Sequence, residues 1–233
     1  MKESFDYKSI RALAYFVPAL LCVMTLRVGS AALTVEPRAG LVHVSLFQAS
    51  EGFVMACQLM EYLMALACFI CVYRLSDLDV WLDVSNTMFL CYMLMSTVMR
   101  VLEWMLSVTK LSSYTTIGLL ITGLIPMFFL LLAVSFMLTG MIRLYPEPDG
   151  KDKGSVKNAR LARRLWIPAC FLLMLAELLL AVFILYMDVE YRTVIRGLSV
   201  GLTVAYAGMC IPLVLQLQRF CYRYYMYRYN NAV

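Results

Sequence analysis

Charge is scarce in this chain: Asp, Glu, Lys and Arg make up 15% of its 233 residues, against about 25% in soluble domains. Histidine is scarcer still. It occurs once, as His43, which excludes a two-histidine zinc protease or a histidine-ligated haem pair within this chain. No GxxxxGK[ST] phosphate loop occurs, so ATP hydrolysis by that arrangement has no support. We also expect no serine nucleophile elbow, no metal site and no cofactor, and so no enzyme; an intramembrane acid-base site acting on a lipid ranks third among the readings. The segments between apolar runs are short, the longest being about 21 residues from Arg143 to Arg164 and about 18 from Thr34 to Phe53. They leave no room for a soluble catalytic or nucleic-acid-binding module.

Apolar residues are what the chain does have, at 63% of the total and a mean hydropathy of +0.78. They come in runs of about 20 residues, the length that crosses about 30 Å of hydrocarbon at about 1.5 Å per residue. This pattern excludes a disordered chain and a disulfide-stapled secreted module. The fold class it predicts is all-α: one polytopic integral membrane domain, residues 1–233, with six transmembrane helices. The predicted spans are about 12–34, 53–73, 84–106, 115–142, 165–187 and 194–217. Arg27 interrupts the first, and Pro126 should kink the fourth because proline lacks an amide donor.

An even number of spans puts both termini on one side, and the positive-inside rule says which. Fourteen Lys and Arg residues fall with the N-terminus, Arg74, the linker 143–164 and the C-terminal tail 218–233, against five (Arg27, Arg38, Lys110, Arg192, Arg196) on the other face. The expected orientation is N-in and C-in, in the cytoplasmic membrane. Lys2, Lys8 and Arg11 before an apolar run, with Gly29, Ser30 and Ala31 after it, also fit a signal peptide. Arg27 sits awkwardly for cleavage there, and a retained first span is the reading carried forward.

Eight cysteines lie in or beside the apolar runs and none in the predicted outer loops, so they read as small apolar residues; the Cys68-Phe69-Ile70-Cys71 motif near the inner end of the second span is a weak redox signal. The linker from Glu147 to Gly154 is turn-rich and solvated, and the basic run after it suits topology setting or anionic lipid headgroups. The tail from Arg219 to Tyr229 interleaves Arg with Tyr, which suits the headgroup layer better than single-stranded nucleic acid. No nucleic-acid partner is expected. Gly197, Gly201, Ala205 and Gly208 line one side of the sixth span as a close-packing face, for another helix of the chain, a partner subunit or a second copy in a dimer.

Ionisable residues inside spans are the candidate site, since each costs a few kcal/mol unless paired or wetted. Glu61, Arg100 and Glu177 fall at about 12, 9 and 15 Å from the outer boundary, with Glu103 shallower and Arg27 entering the same zone. Gln58 and Glu61 share one helix face; Ser96, Arg100, Glu103 and Ser107 share another. The expectation is a polar cluster in the outer half of the bundle, with Arg100 held between Glu61 and Glu177. It would bind a small polar solute or ion in a transporter or permease-type subunit. The alternative is a non-transporting sensor or assembly subunit that engages a cytoplasmic partner, with the charges serving only to fix helix register.

Overall fold

The computed structural model describes residues 2–30, 51–108, 112–144 and 210–231, together with scattered positions between 157 and 209. Every described residue except Asp79 and Cys210 is helical. The helices are α1 (Lys2–Ser30), α2 (Glu51–Leu75), a 3-10 turn (Ser76–Leu78), α3 (Val80–Val108), α4 (Ser112–Leu144) and α5 (Ile211–Asn231). Two stretches among the described residues, Met55–Leu78 and Ile125–Leu144, are long and apolar enough to cross a membrane. Residues 31–50, most of the expected linker 143–164 and most of the fifth expected span, 165–187, lie outside the described residues.

Two helix boundaries differ from the sequence expectation. Helix α1 begins at Lys2, ten residues ahead of the apolar run, because Ser9, Ile10 and Leu13 are buried and extend its inward face. The sixth expected span is divided by a turn at Cys210, and α5 restarts just ahead of Pro212, where a helix's first turn tolerates proline. From there it continues to Asn231, through residues expected to be a tail. Leu217, Phe220, Cys221 and Tyr224 recur at helical spacing and are all buried, so this part of the chain has a face to pack.

The five helices form a closed ring in which each packs on the next and α5 returns to α1. The core is drawn from all of them, for instance Leu13 and Val17 of α1, Cys68 and Val72 of α2, Phe89 of α3, Met137 and Leu138 of α4, and Phe220 of α5. Helix α4 is the most enclosed, with 67% of its most apolar 18-residue stretch buried, and it runs through Pro126 without interruption. Helix α2 is the reverse: only 33% of its most apolar 18-residue stretch is buried. Met55, Leu59, Leu63, Leu66 and Ile70 of α2, and Leu90, Leu94, Val98, Val101 and Met105 of α3, are large apolar residues left exposed.

The α2–α3 hairpin is tight because Asp79 ends one helix and starts the next. Its carboxylate accepts from the Trp81 amide at 2.8 Å, and its carbonyl accepts from the Leu82 amide at 3.0 Å, the expected role of an aspartate at a helix start. Helices α3 and α4 then run antiparallel and close together. Ser85 Oγ donates to the Ala133 carbonyl at 2.7 Å, Trp81 stacks on Phe136 with ring centroids 5.5 Å apart, and Arg143 reaches both the Trp81 ring and Asp79.

Candidate functional site

The α2–α3 hairpin brings Glu61 opposite Arg100, and the two form an ion pair with Nη2 3.3 Å from Oε2. Glu61 is 1% exposed, at a helix position where an unpaired carboxylate would be costly. Its other oxygen, Oε1, accepts from the Tyr92 hydroxyl at 2.8 Å. Tyr92, Ser96 and Arg100 are spaced i, i+4, i+8 on α3, so one helical face supplies both the cation and the neutral donor. The carboxylate is thereby held from two turns of the partner helix.

Arg100 is fixed on its other side by Tyr62, whose ring centroid lies 4.3 Å from the guanidinium carbon, a cation-π distance. The ring is pinned in turn. Thr97 Oγ1 donates to the Met93 carbonyl at 2.9 Å, which leaves the Tyr62 hydroxyl to donate to Thr97 at 2.6 Å. Glu61, Tyr62, Ala65, Tyr92, Met93, Ser96 and Arg100 close around the pair and leave no space that admits a water molecule. Two polar atoms inside this shell make no hydrogen bond among the described residues: Ser96 Oγ and Arg100 Nη2.

Comparison with protein-family models, with curated proteins and with solved structures gives no match to this chain. The site is therefore read from its own chemistry.

Of the residues expected at the site, Glu61 and Arg100 meet, and Gln58 lies half-buried one turn from Glu61 on α2. Glu177 lies outside the described residues, as do the side chains of Arg27 and Glu103, whose backbones belong to α1 and α3. Tyr92, Tyr62 and Thr97 were not expected there. The signal for Tyr92 is its place one turn before Ser96 on the polar stripe; Tyr62 and Thr97 have no comparable signal, since aromatic and β-hydroxy residues are ordinary in apolar helices. On the small-residue face Gly197 is half-buried, Ala205 is exposed, and a side-chain carbon at Gly201 or Gly208 would meet no atom within 4 Å.

One motif escapes the sequence expectation of no nucleophile elbow: residues Gly197 to Gly201 spell GxSxG. An elbow needs a strand-to-helix turn that exposes the serine. Gly197, Leu198 and Gly201 are helical, there is no strand among the described residues, and Ser199 lies outside them. The spelling therefore lacks the geometry that gives it meaning. Among the described residues no three His, Cys, Asp or Glu side chains are placed to hold a metal ion. Beyond the apolar spans, burial pushes the Cys221 thiol up to about 12, so it stays protonated and unreactive at neutral pH.

The hydrogen bond from Tyr92 is charge-assisted, a class worth about 1.5–3 kcal/mol. Tyr92→Phe is expected to lower the stability of the purified chain by that amount, read from thermal unfolding in detergent. The same substitution at Tyr73, an exposed tyrosine of α2, should change it by less than about 0.5 kcal/mol.

Proposed function

We propose that this chain is a multi-pass protein of the cytoplasmic membrane, with six spans and both ends inside, and that it serves as a non-transporting sensor or assembly subunit engaging a cytoplasmic partner. The membrane reading is supported by the exposed apolar faces of α2 and α3, too extensive for a helix pair meeting water. Helix direction supports the sixth crossing. With the N-terminus inside, α4 ends inside at Arg143. Helix α5 also ends inside, because Arg11 near the start of α1 lies over the ring of Tyr225 near the end of α5. A chain that leaves α4 inside and returns inside along α5 must cross once between them, at the span expected over 165–187.

The observation that carries the non-transporting reading is the closed pair. Glu61 is held by Arg100 and Tyr92 with no room for a solute or a water, which suits a clamp fixing α2 against α3. Transport stands as the second reading. It is favoured by the unspent hydrogen-bonding capacity of Ser96 Oγ beside the pair, which a solute could use if the hairpin opened. A partner subunit or second copy at the open Gly201 and Gly208 face belongs to the first reading.

Reporter fusions test the topology: those after Asp77, Asp152 and the C-terminus should read as cytoplasmic, and those after Val44, Lys110 and Glu190 as external. Any cytoplasmic result at Lys110 or Glu190 overturns the six-span arrangement. Proteoliposomes test the rest. The reconstituted chain is expected to leave proton and potassium leak at the level of empty vesicles. A leak that Glu61→Gln abolishes would put transport in its place.

A further inference from the structure

The inner ends of α1 and α5 form a single cationic edge that neither helix makes alone. They pack on each other, burying Ile10 and Leu13 of α1 and Phe220, Cys221 and Tyr224 of α5 in one core. Arg11 projects from this contact over the ring of Tyr225, 5.6 Å from its centroid. Around that joint Lys8, Arg11, Arg219 and Tyr222 are exposed. Residues 8–30 and 211–231 contain no Asp or Glu, and the acids of α1, Glu3 and Asp6, lie nearer its start.

Depth identifies what such an edge meets. Arg11 and Lys8 lie about 2–6 Å beyond the apolar run that begins at Ala12, and Arg219 and Tyr222 about 3–8 Å beyond Leu217. The headgroup region on each side of the hydrocarbon is about 5–8 Å thick. These side chains therefore sit at phosphate level, too deep in the headgroup layer for a folded acidic protein to approach without displacing lipid. Tyr222 is 61% exposed, and its amphipathic ring suits that layer.

We propose that the α1–α5 edge binds the headgroup of an anionic phospholipid of the inner leaflet, with Arg11 and Arg219 as the phosphate-binding groups. Guanidinium groups hold phosphate oxygens through paired, charge-assisted hydrogen bonds. The stacking of Arg11 on Tyr225 positions one of them in advance. This inference rests on the membrane reading above and locates one lipid-binding surface within it.

The experiment uses the full-length chain in nanodiscs of phosphatidylcholine containing one-fifth phosphatidylglycerol, with co-purifying lipid counted by mass spectrometry after extraction into detergent. The wild-type chain is expected to retain phosphatidylglycerol and phosphatidylcholine in a ratio about tenfold above that of the nanodisc bilayer. The Arg11→Gln/Arg219→Gln variant should lose most of that enrichment, and the Arg11→Lys/Arg219→Lys variant should keep part of it, which separates site loss from misfolding. Removing the same charge from the linker, by Lys157→Gln/Arg160→Gln, should leave retention unchanged. Equal loss in the linker variant, or no wild-type preference over phosphatidylcholine, overturns the proposal. So does displacement of the lipid by soluble polyglutamate, which would identify an acidic protein as the natural occupant. Carbonate extraction of cell membranes is the separate check: release of the chain into the soluble fraction would sink the membrane reading itself, whereas retention without lipid preference sinks only the site.

Discussion

Replacing Arg100 by methionine is expected to cost about 3–5 kcal/mol, the range for breaking a buried ion pair by removing one partner. The loss should be read from thermal unfolding of the purified chain. The reason is what remains: Glu61, 1% exposed, would lose its cation while still buried, with the Tyr92 hydroxyl as a neutral donor. The reverse substitution, Glu61→Leu, should cost less. Arg100 is 21% exposed at its side chain, rests on the Tyr62 ring, and has a long stem along which its charge can move toward water. Combining Glu61→Leu with Arg100→Met should restore stability to within about 1 kcal/mol of wild type, since an ion pair and a well-packed apolar pair of similar volume are often equivalent. The double-mutant cycle then measures the clamp directly. If both single variants melt like wild type, the pair does not hold α2 to α3 and the register argument fails.

Glu61 and Arg100 were legible in the sequence because a charge in an apolar run stands out by its cost. Their pairing was legible because both fell at one depth. Their support was not. Tyr92 reads as core or as interface until a facing carboxylate is placed against it, and that placement depends on the hairpin set by Asp79. The helical continuation of α5 was hidden for a related reason. Between Arg219 and Tyr229 the arginines and tyrosines give a polar average, while the buried set Leu217, Phe220, Cys221 and Tyr224 is visible only once α1 is known to lie alongside. The runs Met55–Leu78 and Ile125–Leu144 are long and apolar enough to cross a membrane on their own. Helix α3 carries Asp83, Arg100 and Glu103 along its length, so its apolarity is diluted by the residues that make it interesting.

The α3–α4 contact should be the place least tolerant of an added side chain. A Cβ built on Gly140 would lie 2.7 Å from Cγ and 2.8 Å from Cδ2 of Leu82, and 3.4 Å from the Leu82 backbone nitrogen. Leu82 is fully buried, so its side chain has little room to turn away, and its nitrogen, at ordinary contact distance, belongs to the first turn of α3, held by Asp79. Overpacking costs about 1–3 kcal/mol, and alanine recovers about 1 kcal/mol through helix propensity, so Gly140→Ala should be mildly destabilising. Gly140→Val adds two methyl groups against the same turn and should cost more than about 3 kcal/mol, by pushing α4 off α3. That displacement would break the Trp81 stack on Phe136 and the reach of Arg143 to Asp79. It should appear as a red shift of Trp81 fluorescence in a chain whose Trp104 and Trp166 are replaced by Phe. Because the collision is with Leu82, Leu82→Ala should relieve part of it: the two substitutions together should cost at least about 1 kcal/mol less than their sum. Strict additivity would mean that the backbone nitrogen alone sets the limit, and that α3 and α4 are held apart by main chain contact with no help from the leucine.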